Sequence, residues 1–536
     1  MPARQRLIVL LLAIGLLMPG SQGVAIASSF DDALARLAAD SFPETEKAIA
    51  EIAASGAATA ENILAALADR RLFLSPADET VFFKDGGGRY FDARTGTSVA
   101  SAPADLSVVR VNNRLRGQIE AALGSLTLLS PDPAKRLSAA QAVFKSRDEK
   151  SLGMLDTALA KEPDPHVKRA LAGARGAILL AKPDTAIGVK VEAISLLAER
   201  ADQDALALLR GAAASGSPQI KTAADIAIKA VERRLFIVGL MQNVWYGLSL
   251  GSVLLLASIG LAITFGVMGI INMAHGEMVM IGAYTTFAVQ EAFRTLAPEW
   301  FDWSLPIAIP LAFMAAALVG IAIERGVVRF LYARPLESLL ATWGVSLILQ
   351  QAVRTAFGPT NREVGNPSYM SGAFDFFGLS ITYGRLCIII FTLVVFFALL
   401  LALKATPLGL QMRAVTQNRR MASSMGIPTG RIDAMTFALG SGIADMAGVA
   451  LSQIDNVSPN LGQGYIIDCF MVVVFGGVGN LWGTFFGAFT LGVANKFMEP
   501  VAGAVLGKIL ILVLLILFIQ RRPRGLFALK GRAAEA

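Results

Sequence analysis

The spacing of apolar and polar positions changes character near residue 235. From Ser28 to about Arg234 the chain is Ala-rich with regularly recurring charges, the pattern of a soluble helical domain. Beyond Phe236 it becomes a series of apolar blocks separated by short charged loops. Two modules in two different solvents account for this change. The blocks predict membrane spans near Ile237–Met268, Met278–Phe293, Leu305–Ile323, Leu339–Phe357, Leu386–Leu403, Ala434–Ile454, Ile466–Phe475, Thr484–Phe497 and Val501–Ile519. Two of them are short enough to be half-helices or one bent unit, so the expectation is about eight or nine spans. Gly247 with Gly251, Gly483 with Gly487, and Gly503 with Gly507 have the spacing that lets helices approach closely in lipid. Gly476-Gly477-Val478-Gly479-Asn480 interrupts a block, as expected where backbone lines a cavity or meets a loop. The fold class expected is all-α: a polytopic transmembrane bundle preceded by a mostly helical domain.

Within residues 28–234 one interruption stands out. Thr80–Ala93 places two aromatic-rich runs around Lys84-Asp85-Gly86-Gly87-Gly88, the pattern of a β-hairpin. Pro131-Asp132-Pro133, followed by Lys135 and Arg136, recurs as Pro163-Asp164-Pro165 followed by Lys168 and Arg169, with a weaker copy around Pro218. Helix starts repeated in this way suggest stacked hairpins of the HEAT kind, against the plainer reading of an irregular helical domain. His166 has no second ligand nearby and reads as a surface residue, not a metal site.

Arg4 and Arg6 precede the apolar run Leu7–Leu17, followed by Pro19, Gly20 and Ala25-Ile26-Ala27. This is the layout of a signal peptide over residues 1–27, cleaved after Ala27, with an uncleaved anchor as the alternative. Either way, residues 28–234 are exported. Positive charge after Leu403 (Lys404, Arg413, Arg419, Arg420, Arg431) and in the tail (Arg521, Arg522, Arg524, Lys530, Arg532) marks both regions as cytoplasmic. An outside start and an inside end require an odd number of spans.

The 536 residues have a mean hydropathy of +0.57 and only 17% charged residues, too apolar for a soluble chain of this length. The net charge of +7 sits mainly in the loops and forms no single basic face with interleaved aromatics, so a nucleic-acid partner is not expected. Cys387 and Cys469 both lie in apolar blocks, which leaves the soluble module without a disulfide framework.

Five blocks resemble the ABC permeases of the branched-chain amino acid type: Gly260–Tyr284, Ala333–Arg354, Thr406–Ile427, Phe475–Ala488 and Arg522–Phe527. They keep their order and are spread along Phe236–Leu529, and the permease domain expected is residues 235–536. The segments Gly358–Gly372 and Ser452–Asp468, together with the long domain ahead of the permease, are similar to the urea-transporter branch. One departure is Asp445, inside an expected span where the family pattern has a small residue. The resemblance implies a transport subunit rather than an enzyme. The resemblance further implies a second permease subunit, cytoplasmic ATP-binding subunits and an extracytoplasmic solute-binding protein as partners, and urea or, alternatively, branched-chain amino acids or short amides as the expected solute.

The residues fit this role. Gly503–Lys508 has one residue too few between its glycines for a phosphate loop and lacks a following Ser or Thr, so no nucleotide cofactor is expected and ATP is hydrolysed by a partner. Thr406–Ile427 is a short basic amphipathic stretch, opened by the helix breakers Pro407 and Gly409 and ended by Gly426. The resemblance makes it the coupling helix that docks the ATPase, with Gly409, Met412, Arg413, Asn418, Met421 and Gly426 as its residues. The bland reading is a positive-inside anchor lying on the membrane lipid. Asn272, His275 and Glu277 cluster between the first two spans and read either as route-lining groups or as groups satisfied at a span end. Gln453, Asp455, Asn456, Ser458 and Asn460 form a polar run facing outward, either turn formers or contacts to solute or binding protein. Urea offers one carbonyl acceptor and four N–H donors, which suits carboxylate and amide side chains. An amino-acid route should add a charged pair, which the sequence does not locate. A membrane receptor with an exported sensor domain is the rival of another class; the short cytoplasmic tail argues against it.

Overall fold

A computed structural model describes residues 22–527 except 38, 40, 56, 58, 76–79, 86–87, 100–105, 333 and 377. The basic residues and apolar run of the expected signal peptide, and Lys530 and Arg532 of the tail, lie outside the described residues. The chain divides into two compact units, Met1–Phe236 and Ile237–Ala536.

The first unit opens with α1 (Gln22–Leu37), α2 (Phe42–Ala54) and α3 (Ala60–Ala68). A five-stranded antiparallel sheet follows: β1 (Leu72–Ser75), β2 (Thr80–Lys84), β3 (Tyr90–Asp92), β4 (Ser98–Val99) and β5 (Ser107–Val108), in the order β4-β3-β2-β1-β5. The aromatic runs around the Gly-rich turn are β2 and β3, paired Phe83 to Phe91. The sheet is thus wider than a single hairpin. β4 and β5 are two residues each, too short for any alternation to register in sequence. Leu72, Val81 and Phe83 bury one sheet face against α1–α3 and the start of α4 (Asn113–Thr127).

The rest of the unit is helical: α5 (Pro133–Ser146), α6 (Leu152–Lys161), α7 (Pro165–Ala181), α8 (Ile187–Arg200) and α9 (Gln203–Ser215), then the start of α10 (Pro218–Met268). The repeated Pro-Asp-Pro motifs are helix starts with one geometry. Asp132 accepts from Ala134 N at 2.9 Å and Asp164 from His166 N at 2.7 Å, each followed by a Pro whose missing N–H costs nothing at that position. Their basic residues diverge. Arg136 clamps the buried Glu162 through two hydrogen bonds of 2.7 and 2.8 Å, which hold that carboxyl below its ordinary range, whereas Arg169 reaches only the exposed His166 and Pro165.

The second unit is an all-α membrane bundle. It comprises the rest of α10, α11 (His275–Leu296), α12 (Ser304–Gly326), α13 (Pro335–Phe357), a small hairpin of β6 (Ala373–Phe376) and β7 (Leu379–Thr382), α14 (Tyr383–Ala405), the short α15 (Pro407–Gln417) and α16 (Arg419–Ser424), α17 (Thr429–Ser452), α18 (Leu461–Gly476) and α19 (Leu481–Arg521). Among the described residues five helical stretches are long and apolar enough to cross a membrane: α10, Pro298–Gly326 containing α12, α14, α17 and α19. α18 is apolar but shorter.

Two expected spans, Thr484–Phe497 and Val501–Ile519, are the two arms of α19. The helix reverses at Gly503, whose φ of 79° is left-handed, just after Pro500. A Cβ on Gly507 would sit 3.3 Å from Met498 Cβ, a distance that requires the chain to have turned back. The second arm returns the tail to the start of the first: Leu526 N and Phe527 N donate to the carbonyls of Phe475 and Gly476, and Phe527 stacks on Phe486 at 5.7 Å. Gly503 is therefore a turn residue and not half of a packing pair. The other glycine pairs do pack. Gly247 and Gly251 meet Val493 and Phe489 of α19, and Gly483 and Gly487 meet Gly476 of α18.

Candidate functional site

The link between α10 and α11 folds back instead of continuing away. Gly269 turns at φ 69°, and His275 ends up level with the interior of α10, its Nε2 2.8 Å from Ala257 O. A Cβ on Gly260 would lie 2.8 Å from His275 Cε1, so glycine is what admits the ring. Asn272, His275 and Glu277 are all buried, and His275 lies alongside α10 and not at its end. They diverge. Asn272 Oδ1 accepts from Ala274 N at 3.0 Å, His275 faces α10, and Glu277 faces α13, where Ser346 Oγ (2.8 Å) and Gln350 Nε2 (2.7 Å) both donate to its Oε1. Asn272 Nδ2, His275 Nδ1 and Glu277 Oε2 have no partner among the described residues, so each residue keeps a free polar atom inside the bundle. Ser346 and Gln350 escaped the sequence reading. Their signal was available as two polar side chains one helical turn apart in an apolar block.

The polar run after α17 does not stand alone. Arg362 and Val457 form an antiparallel bridge, with N–H···O distances of 2.8 and 2.9 Å, and Arg354 Nη2 donates to Asn460 Oδ1 at 2.5 Å. Gln290 of α11 exchanges two hydrogen bonds with Gly365. The segments 358–365 and 453–460 thereby become one surface. Asp455 and Asn456 are exposed, and the Asp455 carboxylate accepts from Asn456 N at 2.8 Å, as a turn former does. Gln453 is buried, and its carboxamide oxygen has no partner among the described residues.

The expected coupling stretch is two helices rather than one. Pro407 is the first residue of α15, capped by Thr406, and Asn418 caps α16 by accepting from Met421 N at 3.0 Å. Gly426 follows with φ 86°. Gly409 packs so tightly on the Leu403 carbonyl that no Cβ fits, and Arg413 donates to that same carbonyl. Met412 is buried in this chain's own core with Val415 and Leu399 and cannot face a partner. Met421 is 59% exposed and Met425 is 78% exposed. The apolar surface offered outward is therefore Leu410 of α15, 62% exposed, together with Met421 of α16 and Met425 just beyond it. Arg419 pairs with the buried Asp433 of α17 and lies over the Tyr332 ring at 4.5 Å, tying α16 to the bundle.

Two further charged groups matter. Asp468 of α18 pairs with Lys508 of α19 at 2.8 Å, a carboxylate–ammonium pair between apolar helices. Asp445 is fully buried, and neither carboxyl oxygen has a partner among the described residues. The small residue that the family pattern places at this position is found instead on the facing helix: a Cβ on Gly282 of α11 would lie 2.8 Å from Asp445 Cγ.

A family model described as branched-chain amino acid transport system, permease component, matches residues 243–519. The high-affinity branched-chain amino acid transport system permease protein BraD of Pseudomonas aeruginosa is 33% identical over 298 residues, covering 53% of this chain and 95% of that one. The corresponding LivH of Escherichia coli K12 is 32% identical over 297 residues, covering 53% and 94%. The ribose import permease protein RbsC of the same organism is 27% identical over 201 residues, covering 35% and 59%. No solved structure matches significantly.

Proposed function

The chain belongs to the family of branched-chain amino acid transport permeases, and from that premise we propose that it carries urea inward as one permease subunit of an ABC importer in the inner membrane. A second permease, ATP-binding subunits and a solute-binding protein complete the machine. The observation that carries urea is the joining of segments 358–365 and 453–460, which belong to the two stretches that resemble the urea branch (Gly358–Gly372 and Ser452–Asp468), into one surface by the Arg362–Val457 bridge. Around it and deeper in the bundle lie acceptors suited to N–H donors: the buried Gln453 oxygen and the free Glu277 oxygen. We take Asn272, His275, Glu277, Gln453, Asp455 and Asn456 as the residues of the route.

A second reading, import of branched-chain amino acids, is favoured by the Asp468–Lys508 pair, which has the two charges a zwitterion would need. Uptake separates the two. Labelled urea should accumulate in cells above its external concentration only when this gene is present, and Lys508→Gln should leave that accumulation within about threefold of normal. Gene-dependent uptake of labelled leucine, abolished by Lys508→Gln, would establish the amino-acid reading and overturn urea.

The reading also assigns orientation: residues 28–234 outside, with the helices that follow the sheet taken as HEAT-like pairs, α15 and α16 inside, and an odd number of crossings that counts both arms of α19. Ser146 and Ser423 are both exposed. In a background lacking Cys387 and Cys469, a cysteine at 146 should react with an impermeant thiol reagent in intact spheroplasts and one at 423 should not. The reverse pattern would invert the topology.

A further inference from the structure

One cavity in the second unit has a chemistry that the transport reading does not use. It holds about 420 Å³, within the range of small-molecule sites. Its walls come from the last turns of α10 and α14, from α15, and from the Gly479–Trp482 turn that opens α19. The depth is apolar, lined by Ile263, Val267, Leu400 and Leu481, and the rim carries Lys404 and Arg413. Lys404 is exposed and forms no ion pair among the described residues. Arg413 spends one nitrogen on the Leu403 carbonyl, and among the described residues no carboxylate lines the cavity. Trp482, 43% exposed, stands at the same opening.

An apolar hole with two cations and an amphipathic indole at its mouth matches one kind of occupant. Basic pockets between membrane helices on the cytoplasmic side bind anionic lipid headgroups, and tryptophan settles at the headgroup level. We propose that this cavity binds an anionic phospholipid, phosphate on Lys404 and Arg413 and an acyl chain between α10 and α14. The proposal rests on the orientation given above, which puts α15 on the cytoplasmic side. Because α15 forms one wall, the lipid would brace the segment that leads to the ATPase surface.

The test reads binding and not transport, so it can fail without touching the urea reading. The purified complex with its ATPase is placed in vesicles containing phosphatidylglycerol or phosphatidylcholine with brominated chains, which quench nearby tryptophan. The Trp482→Phe complex supplies the contribution of the other tryptophans. The emission that depends on Trp482 should be quenched by the anionic lipid at about tenfold lower lipid fraction than by the zwitterionic one. Lys404→Gln should cut that preference by about threefold or more, and Lys404→Arg should restore it, which excludes a folding defect. Equal quenching by both lipids, or a preference that Lys404→Gln does not move, would overturn the proposal. So would absence of quenching by either lipid in the intact complex, since protein would then cover the cavity.

Discussion

Replacing Met421 and Met425 together by aspartate should lower uptake by tenfold or more, about 1.4 kcal/mol of lost coupling, while the permease remains in the membrane at normal abundance. Both side chains project from α16 and its C-terminal turn into solvent, and neither belongs to a packed apolar cluster among the described residues. An exposed apolar pair on a short helix tied down by its own charges is the form of a docking knob, and two carboxylates there would have to be buried unpaired in a partner's groove. Met412→Asp makes a different prediction. That side chain fills the core beside Val415 and Leu399, so its replacement should reduce the amount of permease rather than its coupling. Gly409→Pro belongs with Met412→Asp, because the close approach to the Leu403 carbonyl leaves no room for a ring and the Gly409 N–H bond to Thr406 is lost. The anchor reading is examined with Arg420, which is exposed, and not with Arg419, whose pairing with Asp433 holds the fold together. If the Met421/Met425 variant retains the ATPase on purification and still transports, α16 does not dock it. If Arg420→Gln alone lowers uptake more than the double variant does, the segment is an anchor.

The contrast between Met412 and Met421 shows where reading the sequence reaches its limit. Their residue type and their place in a basic amphipathic stretch are equally visible. Which side of the stretch turns inward is decided by the break at Asn418, and that break comes from a side chain capping α16 rather than from any change in hydropathy. The apolar blocks themselves were legible because membrane helices must be long and apolar. The reversal inside α19 was legible as two blocks, although Gly503 read as a packing residue, since a glycine used for positive φ and one used for close approach look alike. The Glu277–Ser346–Gln350 contact and the Asp468–Lys508 pair join residues far apart in the chain; the spacing of Ser346 and Gln350 marks a polar pair but not its partner, and nothing local marks the second pair. The five-stranded sheet was seen only at β2 and β3, the strands with enough aromatic residues and a Gly-rich turn between them.

Close approach of helices carries the other large expected effect. Gly276, beside His275 and Glu277, and Gly462, at the start of α18, lie backbone against backbone: a Cβ on either would overlap the other's carbonyl. Neither belongs to a glycine pair at four-residue spacing that would have drawn notice. In a soluble core an added methyl that forces strain costs roughly 1–3 kcal/mol and neighbouring side chains can yield. Here the obstacle is main chain on both sides, and α18 is already held at its far end by Gly476 against Gly483. The helices can separate only by breaking that second contact or by dragging Glu277 away from Ser346 and Gln350. Gly276→Val and Gly462→Val should each abolish accumulation of folded permease in the membrane, and Gly276→Ala should lower it several-fold at least. Gly464, two residues further along α18, has nothing within 4 Å of its Cβ position, so Gly464→Ala controls for helix propensity and should accumulate normally. Membrane abundance with resistance to a mild protease is the readout. Normal abundance of Gly276→Val would mean that α11 and α18 do not meet at these glycines, and the placement of His275 and Glu277 inside the bundle would go with that contact.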